Sequence, residues 1–337
     1  MRMAAETMPA VVKHAPGEQG VGLRRVPVPA PGAGQVLLRV LAAGVCGTDL
    51  HIADDEYAHE VPVVLGHELL AEVAATGTGV DPGWAGQRVV CETYFSTCGR
   101  CDQCRAGARN LCRERRSIGS FADGAFAPWL VLPEPNLHRV PDTVPGLGAV
   151  LAEPLACAAH CLCDPAVVDA GDEVLVLGPG AMGQLSAQIA RAQGGRVTLA
   201  GLAQDAHRLQ VAADLGLGTL AGQVPEESFD VVIEASGSAA GVQVALAAAR
   251  RRGRYVQVGI AGQEVPFLLD TVLYKELTIT SGFASTPQSW RRALALMAAG
   301  QVDLEALVTA SYPLERWDQA LQAVRTGAGV KTVLVPG

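Results

Sequence analysis

The chain has 337 residues, of which 49% are hydrophobic and 18% charged, with a formal net charge of −8. That length holds two domains with a core each, and that composition argues against extended disorder. The acidic balance, with no basic run beyond the three arginines at 250–252, speaks against a nucleic-acid partner. No stretch reaches the roughly 20 apolar residues that span a bilayer and no signal pattern opens the chain, so a cytoplasmic protein with no membrane partner is expected.

Up to about residue 150 short β-rich runs alternate with Gly and Pro. The run 36–40 is β-branched at both ends, 87–90 follows a Pro-Gly turn, and Pro27, Pro29 and Pro31 form a stiff connector between early strands. Irregular, mostly antiparallel β structure is expected there. From Glu173 the pattern becomes strand, glycine turn, helix. Strands are expected at 173–177, 196–200, 229–234, 254–258 and 278–280, and helices at 181–193, 205–215 and 239–251. Gly216 suits a helix C′ position, and the arginines at 250–252 suit a solvated helix end, opposing its negative pole. Such alternation predicts βαβ units in a doubly wound parallel sheet. After about 288 come a helix carrying Trp290, Leu294 and Met297, another at 317–324, and a strand at 332–335. The second domain therefore reads as an insertion, with 153–288 set between 1–152 and 289–337.

Gly178-Pro-Gly180-Ala181-Met182-Gly183 matches GxGxxG between a buried strand and a helix. There the first glycine permits a tight turn, the second lets backbone approach a pyrophosphate, and the third lets helix and strand pack closely. An acid to hold a ribose 2′-hydroxyl is expected at the end of the next strand. None occurs before Asp205. Either Asp205 reaches back, favouring NAD, or a 2′-phosphate is accepted with His207 or Arg208 nearby.

Nine cysteines are many for a reducing compartment, and Cys98, Cys101, Cys104 and Cys112 are spaced C-x2-C-x2-C-x7-C. Four thiolates saturate a tetrahedral zinc, so this lobe, 91–115, reads as structural; an iron–sulfur cluster and a redox C-x-x-C are the rivals. Upstream, Cys46 and His67 with Glu68 or Glu153 could hold a second zinc through three protein ligands and leave a position open.

Taken together, Cys46-Gly-Thr48-Asp49-Leu-His51, Gly66-His67-Glu68, the cysteine lobe, Glu153-Pro-Leu and 178–183 resemble the zinc-containing medium-chain alcohol dehydrogenases, in their polyol (sorbitol-like) and threonine dehydrogenase branch. The likeness occurs in family order over nearly the whole chain. It implies an α/β protein with a Rossmann domain inserted in a GroES-like, mostly β catalytic domain. It also implies two zinc ions per chain, NAD or NADP, and interconversion of a secondary alcohol (polyol, diol or amino alcohol) with its ketone. Cys46 and His67 match the zinc ligands, Glu153 stands where the polyol branch has a ligand glutamate, and Glu68 matches a second carboxylate near the metal. Thr48 matches the hydroxyl that contacts the substrate oxygen, and His51 the outer member of a proton relay through the cofactor ribose. Lys331 falls where some relatives contact a cofactor phosphate. Relatives of this kind are homodimers or homotetramers. Cys91, Cys157, Cys161 and Cys163 read as buried thiols. The acidic run 54–56 fits either a solvated loop or a cationic substrate. A zinc-free quinone or enoyl reductase and a non-catalytic dinucleotide sensor are the competing functions.

Overall fold

The computed structural model describes residues 6–337. In chain order the first part comprises β1 (Thr7–Lys13), β2 (Val21–Pro27), β3 (Gln35–Val45), α1 (Gly47–Ala53), β4 (Val63–Val64), β5 (Glu68–Thr76), β6 (Arg88–Cys91), β7 (Tyr94–Ser96), α2 (Asp102–Arg105), β8 (Arg116–Ser117), β9 (Trp129–Pro133), β10 (Leu137–Arg139) and α3 (Ala152–Cys163). Of the proline connector, Pro27 ends β2 and Pro29 and Pro31 fall between β2 and β3. Along β3, Val36, Leu38 and Val40 are buried at the two-residue period of a strand. They join Leu69, Phe126, Leu132 and Leu334 in one core.

The next stretch alternates strand and helix as expected: β11 (Glu173–Leu177), α4 (Ala181–Ala192), β12 (Arg196–Gly201), α5 (Ala206–Asp214), β13 (Gly218–Ala221), β14 (Phe229–Glu234), α6 (Ala239–Ala248), β15 (Ala249–Gln257), α7 (Asp270–Lys275), β16 (Thr278–Ser281) and α8 (Pro287–Ala298). The strands lie in the order β13-β12-β11-β14-β15-β16, and every neighbouring pair is parallel. Renumbered within the sheet, that order is 3-2-1-4-5-6, the doubly wound arrangement whose switch point lies at the end of β11. Both faces are covered, so β14 is buried at every position.

The chain then supplies β17 (Val308–Pro313), α9 (Trp317–Arg325) and β18 (Lys331–Val335) to the first core. A sheet ordered β10-β6-β5-β3-β18-β17, with β9 also on β3, results. Two compact units follow: Met1–Glu153 with Val308–Gly337, and Pro154–Leu307. The return to the first unit thus comes at Leu307/Val308, later than the expected 288/289. The reason is local. Trp290 is fully buried, and Asp303 exchanges hydrogen bonds with Gln188 on α4, its N–H to Gln188 Oε1 at 2.7 Å and its carbonyl from Gln188 Nε2 at 3.2 Å. None of the helices among the described residues is long and apolar enough to cross a membrane.

The arginines at 250–252 are also placed differently from expectation. They belong to β15, because parallel pairing with β14 starts at Ala249 opposite Phe229 and overrides helix propensity. Arg250 pairs with Asp230, Arg251 with Glu227 at 3.6 Å, and Arg252 with Glu276 at 3.7 Å. The cation at the end of α6 is instead Lys275, whose Nζ donates to the carbonyls of Leu246, Ala247 and Ala249 at 2.9–3.0 Å.

Candidate metal centres and dinucleotide turn

The four thiols of the lobe converge. Cys98 Sγ lies 3.6 Å from Cys112 Sγ and 3.9 Å from Cys104 Sγ. A tetrahedron of sulfurs around zinc at ~2.3 Å has edges of about 3.8 Å, so these two separations match the spacing a zinc would impose, and all four sulfurs lie within 4.8 Å of one another. Backbone N–H groups point at them: Cys101 N to Cys98 Sγ at 3.4 Å, Cys104 N to Cys101 Sγ and Cys98 N to Cys112 Sγ at 3.5 Å. The backbone N–H groups of Arg100 and Cys101 draw the Cys98 thiol down to about 6, whereas desolvation and then neighbouring thiols push Cys104 up to about 11. A cation at the centre stabilises all four as thiolates. None of the nine cysteines forms a disulfide.

The second cluster gathers Cys46, His67 and Glu68, whose ligand atoms lie within 4.8 Å of one another. Cys46 is the N-cap residue of α1; His67 and Glu68 stand where β5 begins. Buried Asp49 organises the first two. Its Oδ2 accepts from Cys46 N at 2.8 Å, and its Oδ1 lies 3.4 Å from His67 Nδ1. With Nδ1 turned to Asp49, Nε2 is the nitrogen left for the cluster. Burial lowers the basicity of His67, but Asp49 and then Cys46 outweigh it and hold the ring well above its ordinary pKa. A thiol, an imidazole and a carboxylate converging at this distance fit three ligands of an open zinc site. Asp49 has no role in the sequence reading. Its signal was an acid three residues after Cys46, the position of a capping-box partner.

Glu153, on the first turn of α3, is buried but stands outside that trio. It lies near Cys91, whose thiol is pushed well up by burial and then by the carboxylates of Glu153 and Glu92. Lys331, expected at a cofactor phosphate, is instead 4% exposed and ion-paired with Glu68 Oε2. Burial disfavours its charge, yet Glu68 and then Cys46 raise its pKa overall.

Thr48 and His51 are three residues apart on α1 and so share a face. Thr48 Oγ1 is 3.8 Å from Cys46 Sγ, and His51 Nδ1 is 2.7 Å from Glu56 Oε2. Each acid of the run 54–56 already has a partner. Asp54 holds Arg325 through two contacts at 2.8 and 2.9 Å, Asp55 holds buried Lys13 at 2.7 Å, and Glu56 holds His51. The run is a set of internal ties.

In the second unit the 178–183 turn follows β11 and opens α4 at Gly180. Gly178 has φ +98°, and a Cβ there would meet Ser236 backbone at 2.7 Å. A Cβ at Gly183 would strike the Gly178 carbonyl at 1.8 Å, while one at Gly180 would point into open space. Two glycines are thus needed for packing, and the third leaves backbone accessible, as a pyrophosphate requires. Ala181 and Met182 are the first residues of α4. Asp205 accepts from Leu202 N at 3.0 Å and pairs with Arg208 at 3.5 Å.

Residues 32–142 match the alcohol dehydrogenase GroES-like domain, and 181–299 match the zinc-binding dehydrogenase domain. A sorbitol dehydrogenase from Halalkalibacterium halodurans is 34% identical over 98% of this chain and 99% of its own. An L-threonine 3-dehydrogenase from Legionella pneumophila (strain Corby) is 33% identical over 97% of this chain and 99% of its own. Among solved structures, one from Sinorhizobium meliloti 1021 described as a zinc-binding dehydrogenase bound to NADP is similar at 30% identity and a TM-score of 0.90, covering 98% of this chain and all of that one. The two matched domains and full-length similarity make this chain a member of the zinc-containing alcohol dehydrogenase family, in its polyol and threonine dehydrogenase branch.

Proposed function

We propose that the chain oxidises a secondary alcohol, whether a polyol, a diol or an amino alcohol, to the ketone at the site built on Cys46, His67 and Glu68, passing the hydride to NAD(P). The mutual approach of those three ligand atoms within 4.8 Å carries the reading. Bound there, zinc supplies the Lewis acidity that makes a substrate hydroxyl acidic or a carbonyl electrophilic.

The remaining work falls to side chains. Cys46, His67 and Glu68 are the protein ligands in this conformation, with Glu153 the reserve carboxylate; Cys98, Cys101, Cys104 and Cys112 hold the structural ion. Asp49 keeps the His67 ring in one tautomer. Thr48 accepts the hydroxyl proton and His51, on the same face of α1, takes it towards solvent. Glu56 fixes the His51 proton on Nδ1 and leaves Nε2 as the base. Gly178, Gly180, Ala181, Met182 and Gly183 form the bed of the dinucleotide.

A second copy of the chain is the expected macromolecular partner, as a homodimer or homotetramer. β16 ends its sheet and, among the described residues, no strand pairs its outer edge; Leu273, Tyr274, Ile279 and Phe283 around it are 46–70% exposed. The nine cysteines form no disulfide, which suits the reducing cytoplasm.

Metal analysis and kinetics test the site together. Wild type carries about two zincs per chain. Cys46→Ser carries about one and loses turnover of secondary alcohols while still binding reduced dinucleotide. Full turnover by a Cys46→Ser protein that retains only the structural ion would end the proposal.

A further inference from the structure

Helix α1 carries Cys46 at its N-cap and Thr48 and His51 along one face, so the way its other end is fixed bears on the reaction. That end is a Schellman turn. Asp55 N–H bonds the Ile52 carbonyl at 3.2 Å, and Glu56 N–H bonds the His51 carbonyl at 2.7 Å. The C′ residue of such a turn is left-handed and usually glycine; here it is Asp55, at φ +61°. A side chain keeps that strained conformation only where its surroundings hold it there.

Asp55 is held from the core. Its Oδ1 lies 2.7 Å from Lys13 Nζ, and its Oδ2 accepts from Gly17 N. Lys13 ends β1, the middle strand of the sheet β2-β1-β4, and its side chain is fully buried. An ammonium has three protons to place. Besides Asp55, Nζ donates to the Ala53 carbonyl at 2.8 Å and to the Gly17 carbonyl at 2.9 Å, so all three are used. Ala53 is the last residue of α1, and a carbonyl there has no partner within the helix. A cation at this end also opposes the helix's negative pole. The Lys13 hydrogen bond and then the Gly17 N–H keep the Asp55 carboxyl below the usual carboxylate range. The other charges at this turn are Arg325, paired with Asp54, and His59, whose Nε2 lies 3.4 Å from Asp55 Oδ1.

The left-handed residue turns the chain back over the helix. Glu56 follows at once, and its Oε2 comes to 2.7 Å from His51 Nδ1. Without that conformation at Asp55, the next carboxylate would not face the ring. A lysine buried on β1 thus reaches His51 in two steps, through Asp55 and then Glu56.

We infer that Lys13 is a positioning residue for proton transfer: it fixes the left-handed turn at Asp55 and so holds Glu56 on His51. This role presupposes the dehydrogenase reading, with His51 as the proton carrier.

Lys13→Met combined with Asp55→Asn tests it in the zinc-loaded full-length protein, because removing both charges strands neither in the core. Amide exchange read by mass spectrometry reports on the turn without any reaction. The amides of Glu56 and Tyr57, both bonded to the His51 carbonyl, exchange about tenfold faster than in wild type, while β14 keeps its wild-type rate. Kinetics with sorbitol, butanediol and L-threonine, each with NAD and NADP, report on the proton path. Near neutral pH kcat falls by about tenfold with KM within about twofold, and the loss shrinks as pH rises. In a His51→Gln background the same two changes lower kcat by less than about twofold, since the path they act through is already gone. Lys13→Met with Asp55→Gly recovers part of the loss, because glycine takes the left-handed conformation unaided. Unchanged exchange at 56–57, a loss of kcat that does not vary with pH, or one that multiplies with that of His51→Gln each overturns the assignment. Absence of turnover of all three alcohols by zinc-loaded wild type removes the dehydrogenase reading itself, and the role of Lys13 in proton transfer with it.

Discussion

Glu68 and Lys331 meet across the bare backbone of Gly44. Glu68 opens β5, Lys331 opens β18, and Gly44 lies on β3 between them. A Cβ at Gly44 would sit 2.1 Å from Glu68 Oε2 and 2.8 Å from Lys331 Cε, so the middle strand has no side chain where the pair crosses it. Both side chains are nearly sealed, at 1% and 4% exposure. Glu68, a member of the candidate metal cluster, is therefore held from behind by a buried ammonium.

Removing that ammonium leaves an uncompensated buried carboxylate. Lys331→Met is expected to destabilise the protein by about 3–5 kcal/mol in chemical denaturation. Lys331→Met combined with Glu68→Gln recovers part of the loss, since neither buried charge then remains. Equal stability of wild type and Lys331→Met would show that Glu68 does not depend on this partner.

The pair marks the limit of what could be read in advance. The cysteine lobe and the 178–183 turn were legible because their function needs only neighbours in sequence: closely spaced thiols curl around one point, and glycines govern one strand-to-helix turn. The nearness of Cys46 to His67 and the parallel, doubly wound character of the inserted sheet were likewise recoverable, from motif order and from alternating strand and helix patterns. Lys331 was not. Its partner comes from the other end of the chain, and only strand order brings the two together. The arginines at 250–252 failed for a related reason, because parallel pairing with β14 decides their conformation and local propensity does not. Asp54, Asp55 and Glu56 look like a solvated acidic run until their partners, Arg325, Lys13 and His51, are in place.

The His51–Glu56 contact has a kinetic consequence. If His51 carries the proton from Thr48, His51→Gln lowers kcat by about tenfold or more near neutral pH, and the loss shrinks as pH rises and hydroxide replaces the base. Glu56→Gln gives a smaller loss, because its amide still accepts from Nδ1–H and so keeps the ring oriented. A uniform loss across pH in His51→Gln, measured as a kcat profile, would assign His51 to packing.

The Asp54–Arg325 tie joins α1, which carries Thr48 and His51, to α9. The Arg325 hydrogen bond is the main reason the Asp54 carboxyl titrates below 3.8; partial burial opposes it, and the Arg325 charge adds to it. A carboxyl whose folded pKa is depressed contributes stability above its unfolded pKa, and that contribution fades as pH falls towards the folded value. Asp54→Asn should therefore cost about 0.5–1 kcal/mol at pH 7, a value kept small by solvent screening of a pair that is partly exposed. In thermal melts the gap from wild type narrows as pH falls below the ordinary carboxylate range and closes once Asp54 is protonated in the folded state as well. A gap that stays constant through that range would mean the ion pair contributes nothing.

The apolar rim of β16 yields the last expectation. Leu268, Leu269, Leu273, Tyr274, Ile279 and Phe283 expose on the order of 700 Å² together, close to the ~800 Å² one partner contributes to a standard interface. An unpaired edge strand is self-complementary under a two-fold axis, because antiparallel pairing of two copies satisfies both rows of backbone groups at once. Ile279 lies on that strand and Leu273 on α7 just before it. Leu273→Glu with Ile279→Lys puts charge into the centre of such a contact, where burial would strand it. Light scattering should find wild type as an oligomer and this double variant as a monomer, with tryptophan fluorescence unchanged because the four tryptophans lie elsewhere in the chain. An oligomer of undiminished mass in the variant would place the interface on another face.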